Sequence, residues 1–182
     1  CAEYLTDEIV HLSPVEYIEQ TRYLPASVTS QPGPVTHDVN PYMREILNCA
    51  DPRSEVREVN VLKGAQVTYS TITESVVMYF ADYVGDLPMM YLTADKGLAN
   101  SRVENNFLPM FQHSGLSHII RSNDENSAQK TGQTKDLLQF AKGGYMVPYG
   151  ANSSGKMRSY SIAVMIKDEI DGWKQNVGKD GN

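Results

Sequence analysis

An α/β fold, with a mainly parallel sheet flanked by helices, is predicted from three observations. Strand-like and helix-like apolar patterns alternate from residue 57 to residue 166, as in parallel sheets with helical crossovers. Residues 61–70, Val-Leu-Lys-Gly-Ala-Gln-Val-Thr-Tyr-Ser, read as a strand entering a polar loop and then a helix. Residues 161–171, Ser-Ile-Ala-Val-Met-Ile-Lys-Asp-Glu-Ile-Asp, read as a buried apolar strand that ends in acids.

The elements follow in order. Ser13 as N-cap, Pro14 at the first position and Glu16 at the third predict a short helix over 15–23. Pro25, Pro32, Gly33, Pro34 and Pro41 make residues 25–41 extended and looping. A second helix over 42–50 has Met43, Ile46 and Leu47 on one side. Residues 57–63 are expected to form a strand. Ile72, Val76, Val77, Phe80 and Val84 then recur at helical spacing, so a helix spans 70–84 and Gly85 ends it. A strand over 89–93 and a helix over 96–110 follow. Residues 121–135 are polar and form an exposed loop. Residues 137–141 and 145–149, joined through Gly143-Gly144, read as a hairpin. Residues 152–158 are a loop or short helix, and 161–166 the last strand. The chain divides into an N-terminal lead-in, 1–56, packed on a core, 57–182.

Bulk properties bound the function. The 182 residues suffice for one domain with a real core, and 41% hydrophobic and 21% charged content are ordinary for a globular protein. The net charge of −6 weighs against a protein that coats nucleic acid, though not against a motor touching DNA on one face. No apolar run approaches the ~20 residues a membrane span needs. Cys1 and Cys49 have no metal spacing; Cys49 reads as a small residue on an apolar helix face. His113 and His118 lack an acidic partner at zinc-ligand spacing. A start at Cys1 and a stop after Val-Gly-Lys-Asp-Gly-Asn suggest cuts in a longer polypeptide.

The first segment approximates a phosphate loop, whose usual form is Gly-x-x-x-x-Gly-Lys-Ser/Thr between strand and helix. Aligned on Ser70, the eight residues are Lys63, Gly64, Ala65, Gln66, Val67, Thr68, Tyr69 and Ser70. Ser70 fits the magnesium-binding hydroxyl. Tyr69 and Thr68 replace the usual lysine and glycine. The chemistry needs inward-facing backbone N–H groups at a helix start and one cation near the β- and γ-phosphates. Lys63 could supply that cation from the start of the loop. The competing reading is an ordinary strand-turn-helix with one solvated lysine.

In the second segment Asp168 and Glu169 stand in the order that strand-end ATPases use. The first acid binds magnesium and the next activates water. Asp171 could orient a neighbour. A solvated acidic turn is the alternative.

Taken in order, several stretches resemble the large subunit of bacteriophage terminase, of the lambda-like GpA family. They are Leu12 to Tyr17, Tyr23-Leu24-Pro25, Pro32-Gly33-Pro34, Pro41 to Leu47, Arg57 to Val67, Gly150-Ala151-Asn152-Ser153 and Asp168-Glu169-Ile170-Asp171. The resemblance covers nearly the whole chain. It implies a P-loop NTPase of the additional-strand (ASCE, RecA-like) type that uses ATP and Mg2+ to drive double-stranded DNA into a procapsid. It further implies a ring, expected to be pentameric, on the portal protein, a small terminase subunit as partner, a location in the host cell cytoplasm, and no membrane. A coupling segment and a nuclease domain, expected in the full protein, have no counterpart in the sequence. By resemblance, the variant loop carries its lysine at the start, as Lys63. Arg158, ten residues before Asp168, is the expected arginine acting on a neighbouring subunit, with Arg102 and Arg121 as fallbacks. Gln66 is expected near the γ-phosphate, and Tyr42 or Tyr23 against the adenine; both tyrosines could equally be core. The alternatives are a helicase-like DNA-dependent ATPase and a catalytically weak structural ring component, the latter supported by Thr68 and Tyr69.

Overall fold

The computed structural model describes residues 11–38, 40–64, 69–121, 137–152 and 160–174. The lead-in starts as its sequence dictates. Ser13 caps α1 (Pro14–Thr21): its hydroxyl accepts from the Glu16 N–H while the Glu16 carboxylate accepts from the Ser13 N–H, a reciprocal capping box. The helix stops two residues short of the expected end, because Tyr23 pairs into a small antiparallel ribbon of β1 (Tyr23–Leu24) and β2 (Gly33–Pro34). α2 (Tyr42–Asn48) follows and buries Met43 and Leu47.

α3 (Tyr69–Met78) continues into a π-helical turn, Tyr79–Val84, and Gly85 ends it at φ 70°. Next come β3 (Pro88–Thr93), α4 (Lys96–Arg102), a second π-helical turn, Val103–Phe107, and α5 (Leu108–His113). The helix expected over 96–110 is therefore one continuous rod with a widened middle. β4 (Leu138–Gln139) and β5 (Tyr145–Gly150) form the expected hairpin, and β6 (Val164–Lys167) is the last strand.

The sheet order is β4-β5-β3-β6. β3 pairs in parallel with both β5 and β6, while β4 is antiparallel to β5. This is a mixed, mostly parallel sheet flanked by helices, as expected. The carboxyl ends of β3, β5 and β6 consequently share one edge, the edge where open parallel sheets hold ligands.

Alternation along β3 divides the core. Met89 and Tyr91 face a large cluster that includes Tyr17, Ile18, Val77, Phe107, Phe111 and Ile166. Met90 and Leu92 face the other way, against Val147, Tyr149 and Trp173. Among the described residues no helix contributes to the second cluster.

Two strand expectations are corrected. Residues 57–63 form no strand. A strand exists only through a partner ladder, and among the described residues no ladder joins this stretch to the sheet. Val59 and Leu62 are exposed in this stretch. The acidic strand is also not buried throughout. β6 pairs only with β3 among the described residues, so it alternates: Ile166 is buried, whereas Met165 is 45% exposed.

Candidate functional site

The carboxyl edge of the sheet collects the chemistry. Asp168 follows β6 directly, and its backbone N–H donates to the Leu92 carbonyl at 2.9 Å, extending the ladder by one residue. Its side chain is 3% exposed, far more buried than a solvated acidic turn allows. Tyr91, also buried and in the middle of β3, donates its hydroxyl to Asp168 Oδ2 at 2.8 Å. Burial, and next the Asp168 charge, push the Tyr91 hydroxyl well above its ordinary pKa, so it stays protonated and keeps donating. The Trp173 indole N–H donates to the Asp168 carbonyl at 3.2 Å. Asp168 is thereby held from the side chain and from the backbone.

Glu169 differs in every respect. It is 48% exposed and sits at φ 52°, ψ 49°, the left-handed region that a residue with a Cβ occupies at a cost of ~1–3 kcal/mol. A following 3-10 turn, Ile170–Gly172, holds that conformation through the Gly172 N–H on the Glu169 carbonyl at 3.0 Å. The Glu169 carboxylate lies 3.9 Å from the Arg102 guanidinium at the end of α4. Asp171 lies within the 3-10 turn and is exposed.

The first segment leads into α3, and the charge of Asp168 acts on its Tyr69. Tyr69 is the first residue of α3, and its hydroxyl is raised above its ordinary pKa by burial and then by the charge of Asp168. The Lys63 ammonium stands 5.3 Å from the centroid of the Tyr69 ring, a cation–π contact. Ser70, half-buried, is the second residue of α3, and its carbonyl accepts from the Thr73 hydroxyl at 2.9 Å. Gly64 lies in the exposed stretch before the loop. Ala65, Gln66, Val67 and Thr68 lie outside the described residues, as does Arg158. Tyr42, at the start of α2, and Tyr23, in β1, are each about half exposed. The Tyr23 N–H donates to Ser114 Oγ. Arg121 is exposed, with its N–H on the Gln139 carbonyl.

Sequence reasoning missed Tyr91, Trp173 and the tie from Arg102 to Glu169. Only Tyr91 left a signal, as the sole hydroxyl-bearing side chain among the apolar residues 88–92. A second missed cluster braces α3. Arg22, 2% exposed, donates to the Thr71 carbonyl, the Ser75 hydroxyl and the Glu74 carboxylate, and Glu74 accepts a further bond from Asn106 Nδ2 at 3.1 Å.

The oxygen donors at this edge suit a small divalent cation. Magnesium takes hard oxygens, and Asp168 offers an anionic oxygen already fixed by Tyr91. Ser70 brings a hydroxyl on the helix whose first residue, Tyr69, lies in the field of that carboxylate.

Comparison with known proteins identifies the family. Residues 29–182 match the family described as phage terminase large subunit gpA, ATPase domain. The large terminase subunit of Escherichia phage lambda is 24% identical over 168 residues, 92% of this chain and 25% of the relative. That of Enterobacteria phage P21 is 22% identical over 173 residues, 95% of this chain and 26% of the relative. The chain thus spans about a quarter of the length of these relatives. With a matched region that covers both the loop and the acidic strand end, the chain belongs to the phage terminase large subunit ATPase-domain family.

Proposed function

We propose that this chain is the ATP-hydrolysing core of a DNA-packaging motor, with the lead-in, 1–56, packed on a P-loop core, 57–182, of the additional-strand type. The observation that carries the reading is the buried, Tyr91-held Asp168 at the carboxyl edge of a parallel sheet. Lys63 and the backbone amides from Gly64 to Tyr69 bind the phosphates. Ser70 and Asp168 would hold magnesium, and the Tyr91 hydroxyl fixes the Asp168 carboxylate. Bound magnesium would neutralise charge on the transferring phosphoryl group. Glu169, exposed beside Asp168, accepts the proton of the attacking water on its carboxylate. Arg158 acts on the neighbouring subunit's nucleotide in a ring, and Gln66 lies at the γ-phosphate. Tyr42 stacks on the adenine. Double-stranded DNA is the moved substrate, and the portal and a small terminase subunit are the partners, in the host cytoplasm.

The test is magnesium-dependent ATP hydrolysis by the longest natural form of the protein, with and without double-stranded DNA. Glu169→Ala is expected to lower turnover ~100-fold or more while keeping ATP binding. Lys63→Ala is expected to weaken both. Unchanged turnover in both variants would remove the site assignment. Absence of turnover in the DNA-bound wild-type ring would favour a structural ring component.

A further inference from the structure

We infer that Tyr69 is a positioning residue for nucleotide binding: the face of its ring holds the Lys63 ammonium beside the start of α3. The inference rests on the reading of Lys63 as the phosphate-binding cation given above. Three observations carry it.

The first is the contact itself. Lys63 Nζ lies over the Tyr69 ring, 5.3 Å from its centroid, within the range at which the negative face of an aromatic ring attracts a cation. Lys63 is exposed, and among the described residues no carboxylate pairs with it. A carboxylate partner would offset the charge and occupy the donors that phosphate needs. A ring face does neither: the ammonium keeps its charge, and the N–H donors on its far side stay free for phosphate oxygens.

The second is what holds the ring. Tyr69 opens α3 and packs, half-buried, against a cluster formed by Val15 of α1, Met43 and Leu47 of α2, and Ile72 of its own helix. A tyrosine side chain has only two torsions to fix, so a ring backed by three helices is a platform of low entropic cost. Through this ring the lead-in reaches the cation of the nucleotide site.

The third is the backbone that carries Lys63. The usual phosphate loop places its lysine at the helix start, where regular hydrogen bonding fixes the main chain. Here Tyr69 occupies that position and the lysine precedes it, at the end of a stretch that forms no strand among the described residues. Leu62, the residue before Lys63, is fully exposed. A flexible four-carbon stem on such a segment loses much rotamer freedom when it is held at one point. The Tyr69 ring supplies the placement that neither a strand nor a helix gives to Lys63.

The experiment measures binding of the non-hydrolysed ATP analogue AMP-PNP, with magnesium, to the longest natural form by titration calorimetry. The proteins are wild type, Tyr69→Phe, Tyr69→Leu, Tyr69→Met, Lys63→Ala and the double variant Lys63→Ala with Tyr69→Leu. Tyr69→Leu and Tyr69→Met keep apolar bulk and remove the ring, and are expected to raise Kd roughly two- to fivefold, the factor that an exposed cation–π contact supplies. Tyr69→Phe keeps the ring face and rescues the wild-type Kd. In the Lys63→Ala background Tyr69→Leu raises Kd no further, because no cation is left to place. Three results overturn the inference. An equal loss in Tyr69→Phe and Tyr69→Leu would assign the effect to the hydroxyl. An equal loss with and without Lys63 would assign it to packing alone. An unchanged Kd in Tyr69→Leu and Tyr69→Met would leave the ring without a role. Unfolded protein shows as a lowered binding stoichiometry, and Tyr69→Met supplies the same readout should the leucine variant fail to fold. Lys63→Ala separates the two failures. If it raises Kd while the ring variants do not, the phosphate reading stands and the positioning role falls. If it leaves Kd unchanged, the phosphate reading itself falls, and the inference with it.

Discussion

At the scale of single residues, the carboxylates of this chain are sorted by what surrounds them. Asp168 is buried on one tyrosine hydroxyl, whereas Glu169, its neighbour, is solvated and tethered to an arginine. Tyr91→Phe leaves the ring and removes the donor, so a buried carboxylate loses a hydrogen bond to a charged group. A loss of about 2 kcal/mol is expected in urea unfolding, with little change in the sheet. Asp51 shows the same sorting elsewhere. Burial raises its pKa, but hydrogen bonds from Arg53 and His11 outweigh that and hold it down at about 2. The sign follows from linkage: a carboxyl depressed in the fold contributes stability above its unfolded value, and that contribution is lost as pH falls through about 2. Asp51→Asn is therefore expected to cost about 1 kcal/mol near neutrality, after allowing for solvent screening, and progressively less in acid. Urea midpoints of both proteins taken from neutral to strongly acid pH check it; a constant gap would show that the pairing does not titrate.

At the scale of elements, the turn between β3 and α4 is built against the end of β5. Ala151 and Asn152 donate their N–H groups to the Thr93 and Ala94 carbonyls, and Asp95 caps α4 through the Gly97 and Leu98 N–H groups. Gly150 is required there by space. A Cβ on it would stand 2.4 Å from the Lys96 nitrogen and 2.9 Å from the Asp95 carbonyl carbon, both backbone atoms that cannot rotate away. Gly150→Ala is expected to cost about 1–3 kcal/mol by displacing the α4 start, read as a lower urea midpoint. An unchanged midpoint would mean that the turn relaxes freely. Much of this architecture was legible in the sequence. The Ser13–Glu16 capping box, the Gly85 stop, the 89–93 strand and the hairpin each rest on local chemistry that a short window contains. What failed depended on partners. Residues 57–63 carry strand-forming residues yet pair with nothing among the described residues. The apolar run before Asp168 gives no sign that β6 has β3 on one side only. The candidate site follows the same division. Asp168, Glu169, Lys63 and Ser70 were singled out because each stands in a short segment with recognisable neighbours. The Arg102–Glu169 and Arg22–Glu74 pairs join residues far apart in the chain, and no periodicity encodes them.

At the scale of the whole molecule, the question is whether the lead-in is an appendage or part of one cooperative unit. Its side chains answer in packing terms. Tyr17, Ile18 and Val35 belong to the same buried cluster as Met89 and Tyr91 of the sheet, and the Tyr17 hydroxyl donates to Asp82 Oδ2 at 2.6 Å. Arg22 then fastens α1 to α3 through a buried ion pair with Glu74. Pairs of this type are costly to break from one side, because the remaining charge stays buried without a counter-ion; losses of about 3–5 kcal/mol are typical. Arg22→Ala is accordingly expected to destabilise the fold strongly, and to do so everywhere at once. Trp173, the single tryptophan, reports from the opposite face of the sheet, where it packs against the cluster of Met90 and Leu92. If the lead-in and core unfold together, Trp173 fluorescence and far-ultraviolet circular dichroism shift to the same lower urea midpoint in the variant. If the lead-in were an independent layer, Trp173 would keep its wild-type midpoint while helical signal was lost earlier. A coincident shift would mean that contacts made by the first turns of the chain set the stability of the helix beside the candidate site, so that any ligand drawing on α3 also draws on the lead-in.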